Sequence, residues 1–216
     1  MKKFILPLLL LLFVGSIMAV ESEPSAVVGY VKYDCVAGLN TIALPMVETY
    51  ALASDIATAY PGKFDTFNYW DNATQSWVGA FDLGGFWDND FAVNNGLVLW
   101  PNSLESFSFY SIGDLPVIQP SYNMLTGLNM IMVPLDRSDI TLASELGVDT
   151  GTLDTVNEWD NTTQSWVGAF DLGGFWDNDY PIAIGGGYWV NSLSDLTWPT
   201  PPPTRNQNIG LSRSGK

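Results

Sequence analysis

Residues 38–46 and 127–135 are almost wholly apolar and bounded by glycine, the pattern of a strand buried on both faces. After each comes a short helical stretch. Leu52 and Ile56 are four apart and share a face in residues 51–57, and residues 141–147 match them after a one-residue shift. A strand then ends at Trp70, the polar run Asp71–Gln75 reads as a turn, and a second strand places Trp77, Gly79 and Phe81 on one face by alternation. Two strands joined in this way form a hairpin. Leu83-Gly84-Gly85 opens a long loop. Residues 97–101, 186–190 and 107–111 supply further strands. The predicted class is mostly β, a β-rich α+β fold of antiparallel modules with one short helix each.

The pattern occurs twice. Residues 70–90 and 159–179 differ only at Ala73 and Thr162, and the same offset of 89 aligns Tyr33 with Tyr122, Pro45 with Pro134 and Trp100 with Trp189. The expected organisation is an export signal over 1–19, repeat 1 over 27–115 and repeat 2 over 116–199. A Pro-rich spacer and a disordered basic tail follow over 200–216. A period of this length suits a small domain better than a solenoid unit.

The export signal rests on Lys2 and Lys3 followed by the apolar run Phe4–Val14 and small residues up to Ala19. It predicts a secreted or cell-surface protein, bacterial by its flanks, that meets a membrane only if the signal stays uncleaved. Composition narrows the chemistry. The 216 residues include no His, one Cys and nine Trp, and the formal net charge is −15. These counts exclude a Ser-His-Asp triad, imidazole-bound zinc and an internal disulfide framework. So acidic a chain lacks the clustered Lys and Arg that nucleic-acid backbones require. Cys35, aligned with Met124, reads as a small buried hydrophobe.

One stretch of motifs carries a resemblance. Gly127, Asn129, Ile131 and Pro134, then Trp159-Asp160 with Thr163, Gln164 and Trp166, then Gly187-Tyr188-Trp189-Val190, resemble a repeat domain of exported bacterial surface proteins. Repeat 1 departs at its end, where Val98-Leu99-Trp100-Pro101 replaces the last motif. The resemblance implies an accessory or surface module without an assigned catalytic activity.

Two sets of residues are candidates for function. Trp70, Trp77 and Trp100 fall in strands and are expected in the core, whereas Phe86-Trp87 and Phe175-Trp176 fall in the loop. The loop aromatics are the candidate ligand-binding residues, as platforms for sugar rings. Asp82, Asp88 and Asp90, with Asp171, Asp177 and Asp179, are candidate oxygen ligands for Ca2+, although their spacing is not that of an EF-hand. A glycoside hydrolase needs two carboxylates in unequal roles, and a duplicated Asp set argues against one. The sequence therefore predicts a non-catalytic secreted or surface protein with a structural or interaction role. A carbohydrate-binding protein with two equivalent aromatic sites is the alternative. Expected partners are polysaccharide or cell-envelope components, or another surface protein.

Overall fold

The computed structural model describes residues 28–200. The expected export signal and the tail beyond Thr200 lie outside the described residues.

The fold is mostly β. In chain order its strands are β1 (Val28–Cys35), β2 (Gly38–Leu39), β3 (Ile42–Ala43) and β4 (Val47–Glu48), then helix α1 (Ala53–Ala59). Next come β5 (Phe64–Asp71), β6 (Ser76–Asp82), β7 (Trp87–Asp88), β8 (Val98–Ser103) and β9 (Phe107–Asp114). The second half runs β10 (Tyr122–Met124), β11 (Gly127–Met132), α2 (Ala143–Thr150), β12 (Leu153–Asp160), β13 (Ser165–Asp171), β14 (Trp176–Asp177), β15 (Gly187–Ser192) and β16 (Leu196–Trp198).

The main sheets repeat one order. The first is β2-β8-β5-β6-β7, with β3 also on β8, and the second is β11-β15-β12-β13-β14. The predicted hairpin pairs Trp70 with Trp77, and its counterpart pairs Trp159 with Trp166. Pairings of distant segments complete each half. β1 pairs with β9 over eight residues, and β10 with β16 over three. Periodicity along the chain gave no sign of β1, β10 or β16, because their partners lie more than seventy residues away.

Alternation divides each sheet into two faces. In the first half Phe67, Ala80 and Leu99 turn to one side, where they pack with Ile56 of α1, Phe64 and Phe109. Val156, Ala169, Tyr188 and Val190 do the same in the second half, with Leu146 of α2 and Trp198. The opposite faces carry Trp70 and Trp100 from one sheet and Trp159 and Trp189 from the other. These meet in a third core with Met130, Met132, Ala43 and Val98. That middle core explains the run over 127–135. Ile131 and Val133 belong to the private core, Met130 and Met132 to the shared one, so both faces of the strand are covered.

The helices are short, seven and eight residues, and lack a Ser, Thr, Asn or Asp cap at their start, where Leu52 and Leu142 stand. Two carboxylates and a backbone carbonyl bind the amides around this end instead, the Ala53 amide donating to Phe91 O and that of Ala143 to Tyr180 O. Asp55 accepts from the amides of Ala51 and Leu52, and Asp90 from the amide and hydroxyl of Ser54. Glu145 and Asp179 repeat both roles on α2. An isolated eight-residue helix is unstable in water, so these caps and the packed face hold it.

Candidate functional site: the paired repeat interface and two exposed hairpins

Six tryptophans fill the space between the two sheets. Trp70 lies 5.6 Å from Trp77 and 5.0 Å from Trp189 between ring centroids, and Trp159 lies 5.3 Å from Trp166 and 5.4 Å from Trp100. Trp77 stacks on Trp189 at 5.3 Å, and Trp166 meets Trp100 at 5.1 Å. Every contact has a counterpart shifted by one repeat in each partner. The arrangement is that of an isologous dimer built within one chain. Aromatic pairs of this kind contribute roughly 0.5–1.5 kcal/mol each beyond the area they bury.

Hydrogen bonds follow the same reciprocity. The hairpin end of one half docks on the strand of the other. Asn72 Nδ2 donates to the carbonyl of Met130 at 3.1 Å while its Oδ1 accepts from the Met130 amide at 2.8 Å, and the indole of Trp70 donates to Leu128 O at 3.0 Å. In return Asn161 bonds both backbone groups of Thr41, at 2.7 and 3.1 Å, and the indole of Trp159 donates to Leu39 O at 3.0 Å. An Asn side chain here does what a neighbouring strand would do. It satisfies an amide and a carbonyl on a sheet edge that is otherwise open to another chain.

The motif residues take their meaning from this contact. Gly38 and Gly127 hold φ near +110°, and a Cβ at Gly38 would sit 2.7 Å from Gln164 Oε1 of the opposite hairpin. Asn40 is wholly buried. It accepts from the Val36 amide and donates to the carbonyls of Val36 and Gly38, which fixes the bend into β2. Asn129 repeats that ring of bonds with Leu125 and Gly127. The Gly-x-Asn strand and the Trp-Asp-Asn…Gln hairpin are therefore the two halves of one interface.

Beside the interface lie two related clefts. One, of about 330 Å3, is lined by Tyr69, Trp70, Asn72, Asn95, Tyr122 and Met130. The other, of about 290 Å3, is lined by Glu158, Trp159, Asn161, Tyr33 and Thr41. Most of their polar groups are engaged within the protein. Tyr33 and Tyr122 donate to Gly185 O and Gly96 O, and Asp71 and Asp160 close their own turns. Glu158 marks the difference between the clefts, since it stands where the first has Tyr69. Burial and the nearby Asp160 raise the pKa of its carboxyl.

The expected exposure is reversed for two pairs of tryptophans, while Trp100 is buried as expected. Trp87 lies in β7, half-buried, with its ring 5.4 Å from Phe67, and Trp176 packs on the second core so closely that a Cβ at Gly147 would sit 2.0 Å from it. Neither is a free platform. Trp77 and Trp166, expected in the core, are 47% and 49% exposed. The reason is that alternation assigns a residue to a face but not what covers that face. The outer end of the β6 face reaches past the opposite sheet, whereas the β7 face is roofed by its own helix and strands.

Phe86 and Phe175 are exposed as expected, at 67% and 68%. The predicted long loop is instead a tight hairpin. Leu83 N donates to Phe86 O at 2.8 Å across a two-residue turn of Gly84 and Gly85, both near φ +90°. Such turns match the twist of the flanking strands and need glycine for that φ. Asp82 Oδ1 accepts from both glycine amides, at 2.9 and 2.6 Å. The tip exposes Leu83 and Phe86, and Phe81 stands beside them at 44%. Phe170, Leu172 and Phe175 form the same tip in the second half.

The carboxylates are not gathered into a Ca2+ site. Asp82 and Asp171 close the glycine turns, Asp90 and Asp179 cap the helices, and Asp88 and Asp177 are exposed on β7 and β14. Among the described residues no three His, Cys, Asp or Glu side chains come together to hold a metal ion. No described helix is long and apolar enough to cross a membrane.

Compared with protein-family models, with curated proteins and with solved structures, the chain matches none.

Proposed function

We propose that this protein is an exported, non-catalytic interaction module of the cell surface or the secreted fraction. In this reading it presents two copies of one apolar hairpin to a partner in the cell envelope. The observation that carries it is the pair of tips, Phe81-Leu83-Phe86 and Phe170-Leu172-Phe175. Each has the same sequence, stands on a turn fixed by two glycines and an aspartate, and exposes large side chains the fold does not use. Exposed apolar groups clustered on a rigid element mark contact sites. Two equivalent tips on one body raise avidity on a repetitive partner without any new contact. The export signal and the resemblance to surface-protein repeats support the location.

A polysaccharide partner is the second reading, favoured by Trp77 and Trp166, whose half-exposed rings stand on the same strand face as Phe81 and Phe170. Ring faces of this kind stack on the C–H faces of sugars.

The test is retention of residues 20–216 on insoluble polysaccharides and on cell-envelope preparations, beside the Phe86→Ser/Phe175→Ser variant. Both substituted residues are exposed, so the variant is expected to unfold within about 0.5 kcal/mol of the parent. Retention by the parent that falls at least tenfold in the variant supports the tips as the binding element. Equal retention of both proteins removes them from the role. Retention on polysaccharide alone selects the sugar reading.

A further inference from the structure

We propose that the interface between the repeats is a reciprocal pairing device that joins two copies of this chain as well as the two halves of one. The exchanged form is a closed dimer in which repeat 1 of each chain docks on repeat 2 of the other. This proposal is independent of the hairpin tips.

Three observations lead there. The first is reciprocity. Each half offers one hairpin and one edge strand, and the main polar contacts come in pairs: Asn72 on Met130 with Asn161 on Thr41, Trp70 on Leu128 with Trp159 on Leu39. Gln164 adds one bond of its own, to Leu39 O at 2.6 Å, which Gln75 does not repeat. An interface that joins two separate bodies in this way forms equally well between chains, since the same bonds are made.

The second is the connection. Between β9 and β10 the chain runs from Leu115 to Ser121 without helix or strand, with Val117 fully exposed and Ile118 79% exposed. It is held by few polar contacts, among them Gln119 Oε1 accepting from the Leu135 amide and Ser121 Oγ donating to Pro199 O. Its ends pack, Pro120 on Gly96 and Leu115 beside Gly29, but its middle at Val117 and Ile118 is open to solvent. A connection with such a middle reopens at small cost, and exchange through a hinge of this kind is a low-cost route to a dimer.

The third is the residue pair on the axis. Positions 98 and 187 are equivalent in the two repeats, and they face each other. A Cβ added at Gly187 would sit 2.5 Å from Val98 Cγ1 and 3.1 Å from Thr41 Cγ2. Repeat 1 paired with another repeat 1 would set Val98 against Val98 in a space that admits one side chain. Repeat 2 paired with itself would set glycine against glycine and leave a gap. The pair therefore selects repeat 1 with repeat 2, and two chains satisfy that rule only by exchanging both halves.

In the closed monomer a short connection holds the halves at an effective concentration of about millimolar, so exchange shows at comparable protein concentration or when the hinge cannot fold back. The experiment uses residues 20–216. Deletion of Pro116, Val117 and Ile118 is expected to double the mass in solution and to keep the near-ultraviolet circular dichroism of the coupled indoles. A deleted chain that stays monomeric with that signal overturns the proposal. If the deletion abolishes the signal, the unmodified chain decides. Isotope-labelled and unlabelled chains are unfolded, refolded together at about 1 mM, diluted and weighed by native mass spectrometry. Mixed dimers at half of all dimers are expected, and a purely monomeric spectrum overturns pairing between chains. Gly187→Val is expected to lose these dimers and Val98→Gly in the same chain to restore them. Dimers that persist in Gly187→Val, or stay lost in the double variant, overturn the role of the axis pair.

Discussion

The two halves agree where they meet and differ in the private cores behind that interface. Over residues 70–90 and 159–179 they are nearly identical, and this block supplies the docking hairpin, the glycine turn and the exposed tip. Behind it the private cores have diverged. Repeat 1 closes its end with a box of rings, Tyr60, Phe64, Phe107 and Phe109, whose neighbouring centroids lie 5.1 to 6.4 Å apart. The corresponding end of repeat 2 has Leu153, Leu196 and Trp198. There the indole donates to Asp149 at 2.7 Å, and Arg137 spans Asp149 and Asp139 and lies over the ring. A core only has to fill its volume with suitable shapes, and many side-chain sets do so. A reciprocal interface constrains each residue twice, because each hairpin has to fit the strand of the other half. The shared block is long where the structure uses it in this way.

The comparison can be broken most severely at its centre. Trp100 and Trp189 each touch three other indoles. Trp100 is buried and Trp189 partly buried, and substitution of either by Ala is expected to cost about 3–5 kcal/mol in chemical denaturation, the usual loss for a large aromatic removed from a packed cluster. The two costs should agree within about 1 kcal/mol, since the sites are related by the same axis. A cheap substitution at one site and a costly one at the other would show that the halves do not share the cluster equally.

A smaller effect separates the private cores. Gly147→Ala adds a good helix former but drives its methyl into Trp176, and the net is expected to be a loss of about 1–3 kcal/mol. Repeat 1 already carries Ala57 at the matching place and Phe67 where repeat 2 has Val156. A gain in stability from Gly147→Ala would mean that Trp176 has room to move and that the two cores differ less than their side chains suggest.

The smallest expected effect is one of pH and centres on Glu48 of repeat 1, with Glu158 of repeat 2 shifted in the same direction. Glu48, on β4, accepts from the buried Ser111 hydroxyl, and desolvation raises its pKa to about 7. Its unfolded value is near 4.5, so the folded state favours the protonated form. The stability from this carboxyl is complete below pH 4.5, falls as pH rises toward 7 and is lost above. Glu48→Gln is expected to flatten that slope and to raise Tm at pH 8 relative to pH 4.5. An unchanged slope would move the pH dependence elsewhere.

Several elements were legible from single residues. The hairpin at 71–76, the alternation of Trp77, Gly79 and Phe81, the short helices and the doubly buried strand of repeat 2 all follow from local pattern, and the structure has each within two or three residues of its expected bounds. The strand expected over 38–46 is instead broken into β2 and β3. Cys35 and Met124 are both buried, as two small apolar positions in register should be. The site was read less well. Phe86 and Phe175 are exposed, but their neighbours Trp87 and Trp176 face inward, and the Asp residues serve turns and helix starts. Adjacent residues on a strand point to opposite sides, so a Phe-Trp pair cannot expose both rings when one side is roofed.

The sequence by itself determined the β class, the duplication and the motif residues, because these depend on composition, period and spacing along the chain. Only the tertiary structure decided that the two motif halves meet across the repeats, that six indoles form one cluster with Trp77 and Trp166 at its exposed rim, and that Gly187 stands opposite Val98. Those facts depend on which surfaces cover each other, and a linear pattern carries a residue's preference for burial without naming the partner that buries it.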